Sequence, residues 1–364
     1  MDVLDLTESN PTRCGFLYPK QLLDPLRDPS ALSYDPDPKG LLCAREAVAS
    51  VYQAKGAQIH PEEIVLTAST SEAYGFLFRL LCNSGDQVAV PSPSYPLFDY
   101  LARLSDVEPV SYPLLYDGRW HISFEALFKK ITPRTKALVT VHPNNPTGSC
   151  VTKEELSALL RISRERGLPI ISDEVFAEYL YAADFGLPRT LAGAGGPLIF
   201  SLGGLSKFMG LPQMKLGWIA VSGQEESVRL ALERLEVIAD TALSVNRPAQ
   251  LALPIWMAFA GELQTQIRRR LSANRRFLME RLAGETAARC LHADGGWSAV
   301  LCVPAVQDEE GWVVDLLEKE HLLIHPGYFF DFQETGILVI SLLAPPERFQ
   351  SGVDRLLRHL PVVK

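Results

Sequence analysis

The sequence lacks the residue patterns from which proteins build metal sites. Its six cysteines are scattered from Cys14 to Cys302 without a Cys-x-x-Cys pair, and its seven histidines form no cluster at metal-ligand spacing. The sequence therefore predicts no metal centre. The cysteines are interpreted as buried thiols in a reducing compartment.

The sequence also lacks an excess of positive charge and any long apolar run. Lys and Arg number 35 against 43 Asp and Glu, a net charge of -8 that gives no reason to expect nucleic acid or an anionic membrane as partner. No apolar run reaches the roughly 18 residues that span a bilayer, and the first residues lack the pattern of a signal peptide. We therefore expect a cytoplasmic protein without a membrane partner.

What is present is the composition of a globular protein with more than one domain. The chain has 364 residues, of which 47% are hydrophobic and 21% charged, and this length exceeds what one small core usually organises. No internal repeat or low-complexity linker divides it. We expect one large and one smaller domain that share a long helix at their junction.

Apolar runs alternate with segments of helical period, which predicts an α/β domain with a mainly parallel sheet flanked by helices. Predicted strands cover residues 64–67, 87–91, 136–142, 168–172, 198–202 and 216–221. Predicted helices cover residues 41–54, 71–82, 152–166 and 224–239, and the third opens with the capping-box pair Thr152 and Glu155. A long helical stretch at 247–282 and shorter elements at 297–303, 311–320, 338–342 and 346–359 indicate a second domain of α+β character.

Three polar residues follow predicted strands, where open α/β sheets bind ligands: Asn145, Asp173 and Lys207. Singly, each has a simple structural explanation as a turn residue, a helix cap or a surface lysine. Together they suit a ring cofactor, because Asp can hold a ring nitrogen protonated, Lys can form a Schiff base and Asn can donate to a phenolic oxygen. A phosphate could bind where a strand runs through small residues into a helix, with Ser69, Thr70 and Ser71 as donors.

These segments resemble the fold-type I pyridoxal-phosphate enzymes of the class I/II aminotransferase group. The matching landmarks run in order through nearly the whole chain: Tyr34-Asp35-Pro36, Pro91-Ser92-Pro93-Ser94-Tyr95, Asn145-Pro146-Thr147-Gly148, Asp173-Glu174-Val175-Phe176, and Ser206-Lys207 followed by Gly210 and Gly217-Trp218.

The resemblance implies pyridoxal 5'-phosphate bound to Lys207 as a Schiff base. By that resemblance Tyr95 would stack on the cofactor ring, Asn145 would bond its phenolic oxygen and Asp173 would pair with its pyridinium nitrogen. Tyr34 would reach the phosphate of the neighbouring subunit, which implies a homodimer. The corresponding domain division would be a large cofactor-binding domain at residues 35–265, with residues 1–34 and 266–364 forming the small domain.

Three positions around the expected cofactor depart from the family's pattern. Gly204 stands where a phosphate-binding serine is common, and Ser206 or Ser201 could compensate. Lys215 replaces an arginine that grips the phosphate, so the charge is kept but the bidentate fork is lost. Phe176 replaces a tyrosine that donates to the phenolic oxygen, which should leave the cofactor's Schiff base more basic.

A fourth departure affects the expected substrate contact. Val339 stands where the family has the arginine that binds a substrate α-carboxylate. Either another cation replaces that arginine or the substrate is not an ordinary α-amino acid. The candidates are Arg13, in the segment that begins with Asn10, together with Arg247 and His325.

Transamination between an amino donor and a keto acid is the expected reaction. The alternative is a carbon–sulfur β-lyase or a related eliminating enzyme, because the missing arginine weakens the case for ordinary amino-acid exchange. A ligand-sensing regulator or a non-catalytic binding protein is disfavoured, since the chain has no basic patch for DNA and retains both Lys207 and Asp173.

Overall fold

A computed structural model describes residues 3–181, 186–284 and 287–360. Within these residues the strands, in chain order, are β1 Leu4–Asp5, β2 Ile64–Thr67, β3 Gln87–Ser92, β4 Glu108–Tyr116, β5 Trp120–Ile122, β6 Thr135–Val141, β7 Ile170–Asp173, β8 Ile199–Gly204, β9 Gly217–Ser222, β10 Arg289–Cys290, β11 Ser298–Cys302, β12 Leu322–Leu323, β13 His325–Pro326 and β14 Ile337–Ser341.

The helices of the described residues are, in chain order, α1 Leu42–Ala54, α2 Thr70–Leu81, α3 Leu97–Arg103, α4 Phe124–Lys130, α5 Lys153–Arg166, α6 Leu205–Phe208, α7 Glu225–Asp240, α8 Arg247–Met257, α9 Ala260–Leu282, α10 Glu309–Glu320 and α11 Pro346–His359. Short 3-10 turns lie at Pro11–Arg13, Lys20–Arg27, Pro29–Leu32, Pro61–Glu63, Pro212–Met214 and Gly327–Phe330. None of the helices in the described ranges is long and apolar enough to cross a membrane.

A large sheet orders its eight strands as β2-β9-β8-β7-β6-β3-β4-β5 among the described residues. The five central strands from β8 to β4 run parallel, whereas β9 and β5 are antiparallel to their neighbours. The predicted α/β architecture with a mainly parallel sheet is thus confirmed. Because parallel strands end at one edge, the residues that follow β6, β7 and β8 come together there.

The central strands are buried on both faces, which explains their nearly continuous apolar sequences. Val139 and Ile171 pack into a core with α2, α3 and α7, whereas Leu138 and Ile170 pack into the opposite core with α4 and α5. The capping box that opens α5 forms as predicted, with Thr152 Oγ1 accepting from the Glu155 N–H. The sheet is therefore a rigid platform for whatever its carboxyl edge carries.

A second, antiparallel sheet orders its described strands as β10-β11-β14-β13. It packs with α9, α10 and α11 around a separate apolar core, and β1 from the N-terminal segment pairs with β12 beside it. The elements predicted beyond residue 297 are therefore present. The division at residues 34/35 and 265/266 remains a prediction, and its second border falls inside α9.

The prediction of a single helix at residues 247–282 is wrong, because this segment is divided into α8 and α9 at Ala258 and Phe259. Helix α8 buries Leu253 and Trp256 in a core beside the large sheet, whereas α9 buries Leu271 and Leu278 against the small sheet. The first turn of α9, with Ala260 and Leu263, still packs into the core of α8, and only its later turns pack into the core of the small sheet.

Candidate active site

A cavity of about 320 Å³ opens at the carboxyl edge of the large sheet, facing the small sheet. Most of the residues expected to bind a cofactor line it, namely Ser69, Thr70, Ser71, Tyr95, Asn145, Asp173, Phe176, Ser206, Lys207 and Lys215. These side chains come from segments up to 146 positions apart (Ser69 to Lys215). Those after β6, β7 and β8 meet because these strands end side by side, whereas Ser69 and Lys215 are brought together by the antiparallel pairing of β2 with β9. Local sequence motifs are thus assembled into one site by the large sheet.

Asp173 is the acidic group of the cavity and ends strand β7. Its Oδ1 accepts from the Val175 N–H at 3.1 Å, and its Oδ2 accepts from the Tyr74 hydroxyl at 3.1 Å. Burial raises the pKa of Asp173 to about 6, while the two hydrogen bonds and the charge of Lys207 oppose that rise. The carboxylate is therefore held in one orientation and is ionised above that pH.

Lys207 lies in α6, the short helix that follows β8, and its amine is enclosed by aromatic rings. Its Nζ lies 5.2 Å from the centre of the Trp297 ring and 5.8 Å from that of Phe176. Burial lowers the pKa of Lys207, and the Asp173 charge partly offsets this. The Tyr179 hydroxyl donates to the Lys207 carbonyl oxygen at 2.7 Å and so fixes the backbone that carries the amine.

The N-terminus of α2 forms a corner suited to an anion. Ser69 caps the helix by accepting from the Glu72 N–H at 3.2 Å, which leaves its own hydroxyl hydrogen free to donate. Free N–H groups and the helix dipole favour negative charge at this end. Ser206 and the positively charged Lys215 lie on the same cavity wall.

Gly204 and Gly217 face each other in the β8–β9 pair beside this corner. A Cβ on Gly204 would lie 3.2 Å from the Gly217 Cα, and one on Gly217 would lie 3.1 Å from the Ser69 carbonyl carbon. Both distances are shorter than most Cβ contacts in proteins, so a side chain at either position would require a small shift of the neighbouring backbone. The pairing of two glycines thus lets the two strands and the start of α2 pack closely beside this corner.

Asn145 and Tyr95 also line the cavity. The loop before Asn145 is organised by Asn144, whose Nδ2 donates to the Pro93 carbonyl oxygen at 3.0 Å and to Thr147 Oγ1 at 2.8 Å. Tyr95 packs edge-on to Phe98, and its pKa is raised by burial and by the charge of Asp173. Both side chains are thus presented to the cavity by ordered turns.

The candidates for carboxylate binding lie away from this cavity. Arg13 points outward, with its side chain 76% exposed and 3.9 Å from Glu8, and Asn10 caps the turn that carries Arg13. The Arg247 guanidinium donates hydrogen bonds to the Ser30 and Asp35 carbonyl oxygens. Neither arginine lines the cavity that contains Lys207.

Tyr34 and Arg247 line a different cavity of about 370 Å³, formed by residues 31–41 and the segment around α8. His325 pairs with Val339 across the β13–β14 ladder, and its ring lies 5.7 Å from those of Phe329 and Phe330. Burial lowers the pKa of His325, while the charge of Asp5 opposes the change. Tyr34 and His325 are therefore not brought next to Lys207 within one chain.

Several cavity residues were not identified from the sequence. Trp297, Ser298, Ser341 and Ser9 line the wall opposite the strand ends, and Tyr74 reaches Asp173 from within α2. Trp297 is preceded by Gly295 and Gly296, a signal of close packing, but no local pattern points to the serines. In the described ranges no cluster of His, Cys, Asp or Glu could hold a metal ion.

Comparison with known proteins shows what the chain as a whole is similar to. The profile of the family described as aminotransferase class I and II matches residues 19–356. The glutamate-pyruvate aminotransferase AlaA of Escherichia coli K12 is 31% identical over 98% of this chain and 90% of its own length. The alanine aminotransferase of Mycobacterium tuberculosis H37Rv is 28% identical, covering 97% of this chain and 84% of that protein.

Solved structures show the same fold. An alanine aminotransferase from Pyrococcus furiosus superimposes with a TM-score of 0.89 at 26% identity, covering 98% of this chain and 92% of the other. An aminotransferase from Escherichia coli has a TM-score of 0.87 at 29% identity, covering 98% and 90%.

Proposed function

This chain belongs to the aminotransferase class I and II family and is a pyridoxal-phosphate-dependent aminotransferase of fold type I, and we propose that Lys207 attaches the cofactor covalently. The resemblance stated from the sequence is thereby confirmed, as are the fold class, the cofactor and the reaction. The relatives' names give no support to the β-lyase alternative.

The chemistry of the cavity supports this cofactor. Asp173 offers a carboxylate for the ring nitrogen, Asn145 an amide for the phenolic oxygen, and Tyr95 an aromatic face. Ser69, Thr70, Ser71, Ser206 and Lys215 would hold the phosphate at the N-terminus of α2. When bound, pyridoxal phosphate supplies an electron-withdrawing ring that makes the α-proton of an amino donor acidic.

Side chains of the protein would then move this α-proton. A lysine must be neutral to act as a base, and burial lowers the pKa of Lys207 in that direction. Phe176 and Trp297 shield the amine from water. Asp173, held by Val175 and Tyr74, would keep the ring nitrogen protonated. The enclosed lysine beside a fixed carboxylate is the observation that supports the proposal most directly.

The relatives' names point to the substrates. The relatives are named for glutamate, pyruvate and alanine, and we propose that L-glutamate or L-alanine serves as amino donor and pyruvate as acceptor. In the reverse direction the acceptor would be 2-oxoglutarate, the keto acid that corresponds to glutamate. The purified protein with pyridoxal phosphate should form L-alanine from L-glutamate and pyruvate. Chromatography of the products measures this directly.

Covalent attachment of the cofactor at Lys207 can be tested separately. Borohydride reduction of the wild-type holoenzyme should add the mass of the reduced cofactor to the peptide that contains Lys207. Lys207→Ala should lose both this adduct and transamination, while Lys129→Ala, at a lysine that is 71% exposed, should keep both. Labelling of another lysine in the wild type would refute the assignment.

A homodimer is part of the proposal. Tyr34 is 83% exposed and Leu32 is 91% exposed beside the second cavity, so this surface has large side chains available for a partner subunit. Tyr34 would reach the neighbouring site from there. A cytoplasmic location stays a prediction from the sequence.

A further inference from the structure

Two serines face the cavity from the small sheet, at directly opposite positions. Ser298 opens β11 and Ser341 ends β14, and the register of these antiparallel strands pairs them with each other. Both line the cavity that contains Lys207. Side chains so paired point to the same face of a sheet with their Cβ atoms about 5 Å apart. The two hydroxyls therefore form one polar patch.

The hydrogen bonds of the patch leave it able to bind a further group. Ser341 Oγ accepts from the Leu343 N–H at 3.2 Å, which leaves its own hydroxyl hydrogen for a ligand. Ser298 Oγ donates to Asn145 Oδ1 at a long 3.3 Å, and rotation of its hydroxyl away from this weak contact lets it donate to a ligand oxygen instead. The Ser341 N–H donates to the Leu6 carbonyl oxygen at 2.7 Å, so the backbone beneath the patch is fixed.

The serine patch matters for substrate binding because of how few positively charged side chains line the cavity. Among the described residues that line it, the positively charged side chains are Lys207 and Lys215, and the proposed function assigns both to the cofactor. Val339, the neighbour of Ser341 on the same face of β14, is 2% exposed and belongs to an apolar core. The small sheet therefore presents serine hydroxyls to the cavity, and position 339 beside them carries an apolar side chain instead of a charged one.

We infer that Ser298 and Ser341 bind the oxygen-bearing group next to the reacting carbon of the substrate, and so determine specificity. This inference rests on the proposed function. A guanidinium fork favours a carboxylate strongly because its bonds are charge-assisted and bidentate. Hydroxyls donate to carboxylate and amide oxygens, and their bond to a carboxylate is only moderately the stronger one because they bring no charge and no fork of their own. The site therefore accepts amino amides as well as amino acids.

The test compares L-alanine with L-alaninamide, which differ in the charge of that group. Single-turnover loss of the holoenzyme's visible absorbance gives a dissociation constant and a limiting rate for each compound. In the wild type the two dissociation constants should agree within about tenfold, the difference expected between a hydroxyl's bond to a charged acceptor and its bond to a neutral one. A preference of about 100-fold or more for L-alanine would overturn the inference, because such a ratio requires a charged partner.

Ser298→Ala and Ser341→Ala test the serines themselves. Each should raise the dissociation constants of both compounds by roughly 2- to 13-fold, the effect of one lost hydrogen bond, with little change in the limiting rate. Ser157→Ala, at an exposed serine of α5, is the matched control and should change neither. Unchanged dissociation constants in both cavity variants would refute the inference.

Two further measurements separate the possible failures. Melting temperature and bound-cofactor absorbance should match the wild type in Ser341→Ala, which shows that the fold and cofactor site are intact. If the wild type does not convert any amino donor, the proposed function fails. If it transaminates normally and the serine variants bind both compounds as the wild type does, only the serine inference fails.

Discussion

The Tyr74 hydroxyl donates a hydrogen bond to Asp173 Oδ2 at 3.1 Å and so links helix α2 to the end of strand β7. The same helix offers its N-terminus to the anion corner of the cavity. One element therefore contacts both ends of the proposed cofactor site. The bond stabilises the ionised form of Asp173 against the cost of burial.

Tyr74→Phe should therefore raise the pKa of Asp173 further above its ordinary value. With the ring nitrogen less well supported, we expect kcat to fall by about tenfold, the loss of one charge-assisted hydrogen bond. The acidic limb of the kcat/KM profile should move to higher pH. Tyr112→Phe is the control, because that buried hydroxyl bonds the Val139 carbonyl oxygen instead. Identical pH profiles for Tyr74→Phe and the wild type would contradict this role.

Asp173→Asn should stabilise the cofactor-free protein while abolishing its activity. The folded-state pKa is raised from 3.8 to about 6, so the folded protein binds more protons than the unfolded chain between these values. Stability contributed by the protonated group is present below pH 3.8 and is lost as pH rises through about 6.

At pH 7.5 the amide variant, which has no charge to bury, should gain up to about 3 kcal/mol in free energy of unfolding. The gain should vanish below pH 3.8, and urea unfolding at the two pH values measures both. Asp117→Asn, at a side chain that is 76% exposed, controls for the general effect of removing an acid. An equal gain at both pH values would show that ionisation is not the cause.

Phe176→Tyr should change how the bound cofactor responds to pH. Phe176 lines the cavity and packs edge-on to Trp297, with the two ring centres 5.3 Å apart, and a hydroxyl on its ring would add a hydrogen-bond donor at this position. That added donor should lower the pH midpoint at which the visible absorbance of the holoenzyme changes. Phe98→Tyr adds a hydroxyl elsewhere on the same cavity wall and should leave the midpoint in place. Equal midpoints in Phe176→Tyr and the wild type would refute this effect of the hydroxyl.

Mixing two inactive variants should restore activity if Tyr34 acts in the neighbouring site. Tyr34→Ala and Lys207→Ala each impair every site of their own homodimer, whereas a mixed dimer has one site with both residues intact. Random exchange of subunits should recover at most about a quarter of the wild-type activity, as expected for a twofold dimer. The assay is run after the mixed subunits are unfolded and refolded together, with each variant refolded alone as the control. No recovery, despite dimers in sedimentation, would place Tyr34 outside the partner's site.

Local patterns in the sequence were enough to identify the site residues that follow strands or open helices. Strand runs followed by Asn145, Asp173 and Lys207 predicted a shared site, because parallel strands present their carboxyl ends at one edge. Ser69, Thr70 and Ser71 were found in the same way, since a helix start is visible in local sequence. The cofactor and the reaction followed from these residues together with the family resemblance.

The side chains that reach that edge from other parts of the chain could not be predicted, because their positions depend on tertiary packing. Tyr74 contacts Asp173 across 99 positions of sequence, and Ser298 meets Ser341 only through the pairing of β11 with β14. Such contacts depend on how sheets and helices pack, and side-chain packing over long separations leaves no periodic mark in the chain.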